Sequence, residues 1–501
     1  MEQSYFIGID NGGSSIKCVI FTQNGSIISS SSTRVPLSKP FEGYTERNSD
    51  DVWKANCHVI RTALEKAALS PSDIKAVSVC GYGGGLILLD RNGAPIIPCI
   101  VSTDSRANSL LQTFQENGVD DQIYEYTFQR LWSGQHAMLL AWLQRNQKAT
   151  LENAKHALSI KDFIRYKLTG VIGTDATDAS NTNLFNIHTR KFDPEIFHIL
   201  GIGHLFSLLP EHIFSSFEIA GTVSAEAASL TGLLPGTPVA AGLYDVASCT
   251  LASGILDNSQ LELIVGTWSI SGRLTKELAS CRGRNNTLVS FLDGWYFSEE
   301  SSPTSASNLD WFVESFYKKL FSDTENVYET CNQQVAALDP ADSDLIFLPY
   351  LYGSNASSFA KSCFFNLSGY HTPAHMLMAV YEGILFSLVQ HIRTLCGEQL
   401  PETARFSGGV SSSPIWCQML ADILGIRIET TNCKELGALG AAMCASIACK
   451  VYATPAEAVK NMYHAASVYE PDPQRTKLYA RKYAQYQRAV DCANYFYSQK
   501  E

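Results

Sequence analysis

No run of apolar residues in this chain reaches the length of a membrane span, so no transmembrane helix is expected. Lys and Arg are not clustered either, and the formal net charge is -11. Binding to a phosphate backbone or an anionic bilayer depends on such clusters, so neither nucleic acid nor membrane is expected as a partner. The 14 cysteines are scattered, with no C-x-x-C pair and no His/Cys spacing of the kind that holds zinc. They read as reduced, mostly buried thiols. Met1 to Tyr5 are polar and run directly into a strand-like segment, without the apolar core of a signal peptide. A cytoplasmic location is the expectation.

What the chain has is length and apolar content. With 501 residues, 45% of them hydrophobic, it can build two to three domains around large cores. Tyr5 to Ile9 is strand-like, Gly12 to Ser15 turns, Ile16 to Phe21 resumes, and Asn24-Gly25 turns again before Ser26 to Ser29, which predicts a β-meander. Asp51 to Ala68 is a helix by periodicity, with Trp53, Cys57, Ile60 and Leu64 on one face. Ile74 to Val79 and Leu86 to Leu89 read as strands, and strands alternating with helices give an α/β class. Leu261 to Leu274 repeats the opening pattern around Gly266-Thr267. A domain boundary is expected in the small-residue stretch Ala240 to Gly254, dividing the chain into 1–250 and 251–501. Helices are expected over Ala374–Cys396, Pro414–Leu424 and the Ala/Gly-dense Leu436–Ala448, and from Pro455 the chain reads as helical and increasingly polar.

Asp10-Asn11-Gly12-Gly13-Ser14-Ser15 follows a strand and ends near Lys17, gathering a carboxylate, two glycines, two hydroxyls and a cation. Glycines let backbone N–H groups converge on phosphate oxygens, and a carboxylate at a strand end can reach a magnesium ion. The other reading is an ordinary hairpin turn, which Asn-Gly favours by itself. Gly81-Tyr82-Gly83-Gly84-Gly85 lacks the Lys-Ser/Thr ending of a P-loop and is followed by a strand. It reads as a close backbone approach to a ligand, or as a plain tight turn. Asp245 follows the apolar run Val239 to Leu243 and precedes a small-residue helix, a setting for a catalytic base or a helix cap.

Several of these segments, in order, resemble the FGGY carbohydrate kinases of the actin-like ATPase superfamily. The likeness runs through Gly8-Ile9-Asp10-Asn11-Gly12-Gly13-Ser14-Ser15-Ile16-Lys17, Ser159 to Gly170, Thr174 to Ser180, Gly242-Leu243-Tyr244-Asp245, Gly266-Thr267, Ser407-Gly408-Gly409 with Trp416 to Asp422, and Glu435 to Ala442. The resemblance implies an α/β fold of two actin-like (ribonuclease H-like) domains, each a mixed sheet flanked by helices, with an interdomain active-site cleft. The first half would bind sugar and phosphate, the second adenosine and phosphate. It also implies ATP and Mg2+ as cofactors, a small sugar as acceptor, and a homodimer.

Carried over residue by residue, Asp245 is the expected base and Asp10 the expected magnesium ligand. Gly12, Gly13, Ser14, Ser15, Lys17, Gly266 and Thr267 are expected at the phosphates, and Gly408 and Gly409 at adenosine. Tyr82, Gly84, Asp104, Arg106 and Trp132 are expected at the sugar, beside Asp245. Asp104 and Arg106 could instead be a surface ion pair, and Trp132 a core aromatic. Ser301 to Ser305 before Asn308 to Phe312, and Phe347 to Asn355, are similar to the kinases of L-xylulose, whereas many members end the latter stretch Gly-Glu-Arg. Gly13 stands where many members have Thr, and Gly84 where D-xylulose kinases have a sugar-contacting His. The implied reaction is phosphorylation of L-xylulose to L-xylulose 5-phosphate; another pentulose, gluconate or glycerol is the alternative acceptor. A non-kinase ATPase switch of the same superfamily would use the phosphate loops without a sugar site.

Overall fold

A computed structural model of the protein describes residues 4–266, 268–278, 286–320, 326–353, 361–397 and 399–498. Tyr5–Asn11 (β1), Ile16–Thr22 (β2) and Ile27–Thr33 (β3) form the expected antiparallel meander, registered from Tyr5 opposite Thr22 to Asn11 opposite Ile16. β1 and β2 are mostly buried, whereas β3 keeps one face in solvent, which is why it alternates and is rich in serine. Ser49–Ala67 (α1) starts where the Asn48 side chain accepts the Asp51 N–H, and it buries Trp53, Cys57, Ile60 and Leu64. Ile74–Gly81 (β4) returns parallel to β1, Ile9 opposite Val79 and Asn11 opposite Gly81.

Two further strands complete the first sheet: Ile219–Thr222 (β5) lies antiparallel to Pro238–Ala240 (β6), which lies parallel to β4. Leu243–Tyr244 (β7) extends the pairing with β4, opposite Cys80 and Gly81. The expected strand at Leu86–Leu89 forms as Ile87–Leu89 and pairs with His156–Leu158, outside this sheet.

The pattern recurs in the second half. Gln260–Val265 (β8) pairs antiparallel with Ser269–Thr275 (β9) and parallel with Thr403–Ser407 (β10); Arg427–Thr431 (β11) lies parallel to β10 and antiparallel to Ala465–Tyr469 (β12). Both sheets thus run antiparallel, parallel, parallel, antiparallel through five strands, a repeat of which the sequence showed only the opening strand-turn-strand. The helices expected before and after β10 form over Pro373–Cys396 and Pro414–Leu424. Phe386 and Val389 of the first of these helices enter the core. Pro473–Ser498 seats Tyr479, Tyr483 and Tyr486 on Phe386, and Lys482 reaches the buried Glu382 at 2.6 Å. The strand Ala465–Tyr469 interrupts the run read as helical from Pro455. Its side chains are largely exposed, so no alternation marked it.

The chain divides into two compact units. The first takes residues up to Leu256, then Thr275–Phe297 and Glu435–Tyr463; the second takes Asp257–Leu274, Ser298–Lys434 and the chain from His464. The cut expected near residue 250 is therefore followed by two returns to the first unit. The second return carries the helix Leu436–Ala448, whose small residues let it press on β1: a Cβ added at Gly8 would lie 1.8 Å from the Ala438 carbonyl oxygen. Backbone cannot yield as a side chain can. Gly8→Ala is expected to cost about 1–3 kcal/mol and lower the thermal midpoint, while Gly203→Ala, with nothing within 4 Å, leaves it unchanged. Coincident melting curves for wild type and Gly8→Ala would refute this packing.

Candidate functional site

In the first unit, β1, β4 and β7 are parallel and end together, so the turns that follow them share one edge of the sheet. Asp10 lies opposite Cys80, which also faces Leu243, and Asn11 lies opposite Gly81, which also faces Tyr244. The Gly12–Ser15 turn, the Gly81–Gly85 turn and Asp245 therefore emerge side by side. Carboxyl ends of parallel strands are where open α/β sheets bind ligands, because side chains and loop N–H groups there are not consumed by the ladder.

The first turn is both a hairpin and an open loop. The Gly12 N–H donates to the Ser15 carbonyl at 3.0 Å, while Gly13 and Ser14 are exposed and an added Cβ at Gly13 would meet nothing within 4 Å. Arg47 donates to the Gly13 carbonyl oxygen. Lys17 sits across the ladder from Asp10, but its ammonium pairs with Glu435 at 2.7 Å. It braces the loop rather than pointing freely at a ligand. Burial pushes the Asp10 carboxyl up from 3.8 to about 6 against the pull of Lys17. Gly437 leaves room for that carboxylate, since a Cβ there would lie 2.8 Å from Asp10 Oδ2. Among the described residues no group of three or more His, Cys, Asp or Glu could hold a metal. A cation held at Asp10 would therefore need phosphate oxygens and water to complete its shell, as Mg2+ commonly does.

The expected sugar residues lie together, though not all with open side chains. Gly84 has φ +73°, and a Cβ there would lie 2.5 Å from Trp132 Cη2, so the half-buried indole occupies the space above it. Gly83 lies against Asn181: a Cβ would meet its Nδ2 at 2.2 Å. Tyr82, expected at the sugar, is buried and turns its hydroxyl to Cys99 Sγ at 3.5 Å, and burial raises its pKa well above the usual range. Asp104 and Arg106 are not a surface pair. Arg106 Nε and Nη2 donate to the two Asp104 oxygens at 2.8 Å each, Nη2 also donates to Glu46 at 2.6 Å, and the Thr45 N–H donates to Asp104 Oδ2 at 2.6 Å. Both oxygens of Asp104 are taken. The pair is a buried wall, joined to Trp132 through Ser133, whose hydroxyl donates to the Asp104 carbonyl at 3.0 Å.

Asp245 is the first residue of the helix Asp245–Ala252, Tyr244 being its cap, and its Oδ1 accepts the Val246 N–H at 2.8 Å. Behind it lies a buried charge network that the sequence marked only as motif. Lys161 Nζ contacts Asp162 at 2.6 Å, Asp175 at 3.1 Å and Asp178 at 3.6 Å. Burial opposes its charge, but the three carboxylates outweigh that and hold it protonated. Burial, with Asp162 and Asp175 alongside, pushes Asp178 up to about 7. Thr177 donates to Asp175 at 2.7 Å and accepts the Tyr244 N–H at 3.2 Å, so this network fixes the backbone that presents Asp245.

The second unit also ends two adjacent parallel strands in glycine-bearing turns. Gly266 follows β8 and Gly408 follows β10, parallel strands that pair Ile264 with Ser407. Gly408 has φ +98°, and a Cβ there would lie 2.2 Å from the Val265 carbonyl oxygen, so only glycine brings this turn against the end of β8. Gly409 meets nothing within 4 Å, and the Gly266 carbonyl accepts the Ser305 hydroxyl at 2.7 Å. Thr267, Ser354 and Asn355 lie outside the described residues.

Sequence reasoning missed Arg47 and Asn181, which carry no glycine or motif signal of their own. Within the segment Glu435 to Ala442, Gly437 lies against Asp10 and Glu435 pairs with Lys17.

Residues 5–252 match the family model for the FGGY family of carbohydrate kinases, N-terminal domain, and residues 261–449 match its C-terminal domain. Relatives include a probable L-xylulose kinase of Pasteurella multocida, 36% identical over 97% of this chain and 98% of that protein. The L-xylulose/3-keto-L-gulonate kinase of Escherichia coli is 35% identical over 99% of this chain and 98% of that protein. A solved gluconate kinase from Lactobacillus acidophilus covers 100% of both chains with a TM-score of 0.90 at 24% identity, a likeness of fold.

Proposed function

The chain belongs to the FGGY family of carbohydrate kinases and is an ATP-dependent sugar kinase, and from that premise we propose that its acceptor is L-xylulose, phosphorylated to L-xylulose 5-phosphate. The observation that carries this reading is identity above a third, across nearly the whole chain, to two proteins named for that sugar. Trp132 above Gly84 supports it. Where the resemblance puts a histidine in D-xylulose kinases this chain has Gly84, at φ +73° and with the indole 2.5 Å from where its Cβ would be, so a side chain there is strained and crowded.

A sugar hydroxyl is a weak nucleophile at neutral pH, and the phosphoryl group passes through a loose transition state, so positioning and electrostatics carry most of the rate. In the proposed mechanism Asp245 accepts the hydroxyl proton as the sugar oxygen attacks the γ-phosphorus, and ADP leaves. The Lys161 network keeps the Tyr244–Asp245 backbone in place. Gly12 to Ser15 receive phosphate oxygens on exposed N–H and hydroxyl groups, with Lys17 bracing the turn through Glu435. In the second unit Gly266 and Thr267 serve phosphate, and Gly408 and Gly409 serve adenosine. Asp10 is the proposed ligand of Mg2+, which when bound would neutralise charge on the phosphates. Trp132 offers an apolar face to the sugar carbons, with Tyr82, Asp104 and Arg106 as the wall behind.

No helix among the described residues is long and apolar enough to cross a membrane. A cytoplasmic location and a homodimer belong to the proposal through family likeness. The test is ADP release by the purified protein with ATP, Mg2+ and a panel of L-xylulose, D-xylulose, L-ribulose, gluconate and glycerol. The highest kcat/KM is expected for L-xylulose. A clear preference for another acceptor would replace it, and ATP turnover indifferent to every sugar would point to an ATPase switch instead.

A further inference from the structure

Five cationic side chains are buried among the described residues: Arg47, Arg106, Lys161, Arg165 and Lys482. Four have carboxylate partners. Arg106 pairs with Asp104 and Glu46, Lys161 with three aspartates, Arg165 with Asp162, and Lys482 with Glu382. Arg47, only 4% exposed, pairs with none among the described residues. Its Nη2 donates to the Gly13 carbonyl, and its buried Nε has no hydrogen-bond partner there. A guanidinium withdrawn from water without a counter-charge is strongly unfavourable, so a fold that keeps one is completed by an anion from elsewhere.

The position of Arg47 says which anion. It stands in a short strand opposite Cys99, with its side chain on the tip of the Gly12–Ser15 turn, where Gly13 and Ser14 are exposed. Its field reaches Cys99 and the Tyr82 hydroxyl on the sugar side. It therefore lies between the phosphate turn and the sugar wall, the stretch that a transferred phosphoryl group must cross. The planar fork of a guanidinium matches phosphoryl oxygens and retains donors beyond the one given to Gly13.

We infer that Arg47 binds the γ-phosphoryl group of ATP and stabilises its charge during transfer, as the buried cation that has no carboxylate partner among the described residues of the first unit. This deepens the kinase reading and rests on it. In Arg47→Met the Kd for Mg-ATP rises about 10- to 100-fold, the scale of a lost charge-assisted hydrogen bond. The Kd for Mg-ADP stays within about twofold, because the lost partner is the γ group. Arg47→Lys, which keeps the charge but not the fork, loses less of the ATP-over-ADP selectivity.

Titration calorimetry of the full-length protein with each nucleotide reads this without any sugar. Should the methionine variant not fold, the lysine variant decides alone: reduced selectivity supports the assignment and wild-type selectivity overturns it. ATP and ADP weakened equally, with a lower thermal midpoint, would make Arg47 a prop for the Gly13 turn. Unchanged nucleotide binding with a raised KM only for gluconate would make it a reader of sugar carboxylates. Either result overturns the inference. Absence of sugar-dependent ADP release from the wild type is a separate failure, of the kinase reading, because the nucleotide measurements stand apart from it.

Discussion

Asp245→Asn is expected to lower turnover by about 10²- to 10⁴-fold, the range lost with a general base. The substitution is nearly isosteric, and the carboxamide oxygen can still accept the Val246 N–H that Asp245 Oδ1 holds at 2.8 Å. Tyr244 remains the cap of the helix, and Thr177 still accepts its N–H. The backbone therefore stays where it is, and what disappears is the capacity to take a proton. The KM values for ATP and sugar should stay within about threefold, since the loss falls on the transition state and not on ground-state binding. Steady-state kinetics on both proteins measures this split. Turnover within a few-fold of wild type removes Asp245 from the mechanism, and a large rise in both KM values with a lowered melting point assigns it a structural role.

The second large effect carries two opposite signs. Burial holds the Asp10 carboxyl near pH 6 instead of 3.8, so the folded protein prefers it protonated. Stability from that preference is present in full below pH 3.8 and is lost as pH rises through about 6. At pH 8 the half-buried carboxylate is then ionised at some cost to the fold. Asp10→Asn removes the charge, so the nucleotide-free variant should melt higher than wild type at pH 8, with the gap shrinking toward pH 5. Function should move the other way. Without the carboxylate, the rise in melting temperature that Mg-ATP gives wild type should largely disappear. Melting curves with and without Mg-ATP across pH 5 to 8 test both arms. A variant that keeps the full Mg-ATP shift overturns the magnesium role, and one whose melting point tracks wild type at every pH shows that Asp10 is not held at a disadvantage.

Much of the scaffold was legible because it rests on local rules. Alternation and turn residues gave the opening meander, and periodicity gave α1 with its Trp53, Cys57, Ile60 and Leu64 face. The small-residue helix Leu436–Ala448 was found to the residue, since Ala and Gly density needs no partner to be noticed. What could not be read was the direction of individual polar groups. Tyr82 sits in the expected loop, yet its hydroxyl turns to Cys99; Asp104 and Arg106 form the ion pair of the other reading, yet they form it buried rather than at the surface. Ala465–Tyr469 escaped because an edge strand exposed on both sides lacks the alternation by which strands are recognised.

By itself the sequence determined that two strand-turn-strand units recur, each with a glycine-bearing turn, and that aspartates stand at residues 10 and 245, because spacing and residue type act over a few positions. Only the tertiary structure decided that Glu435 reaches back 418 residues to hold Lys17, that Gly437 makes room for the Asp10 carboxylate, and that Arg47, among the described residues, is the buried cation without a carboxylate beside it. Periodicity reports that a face will be covered, and long-range packing chooses what covers it. The charge state and orientation of a buried group depend on that choice.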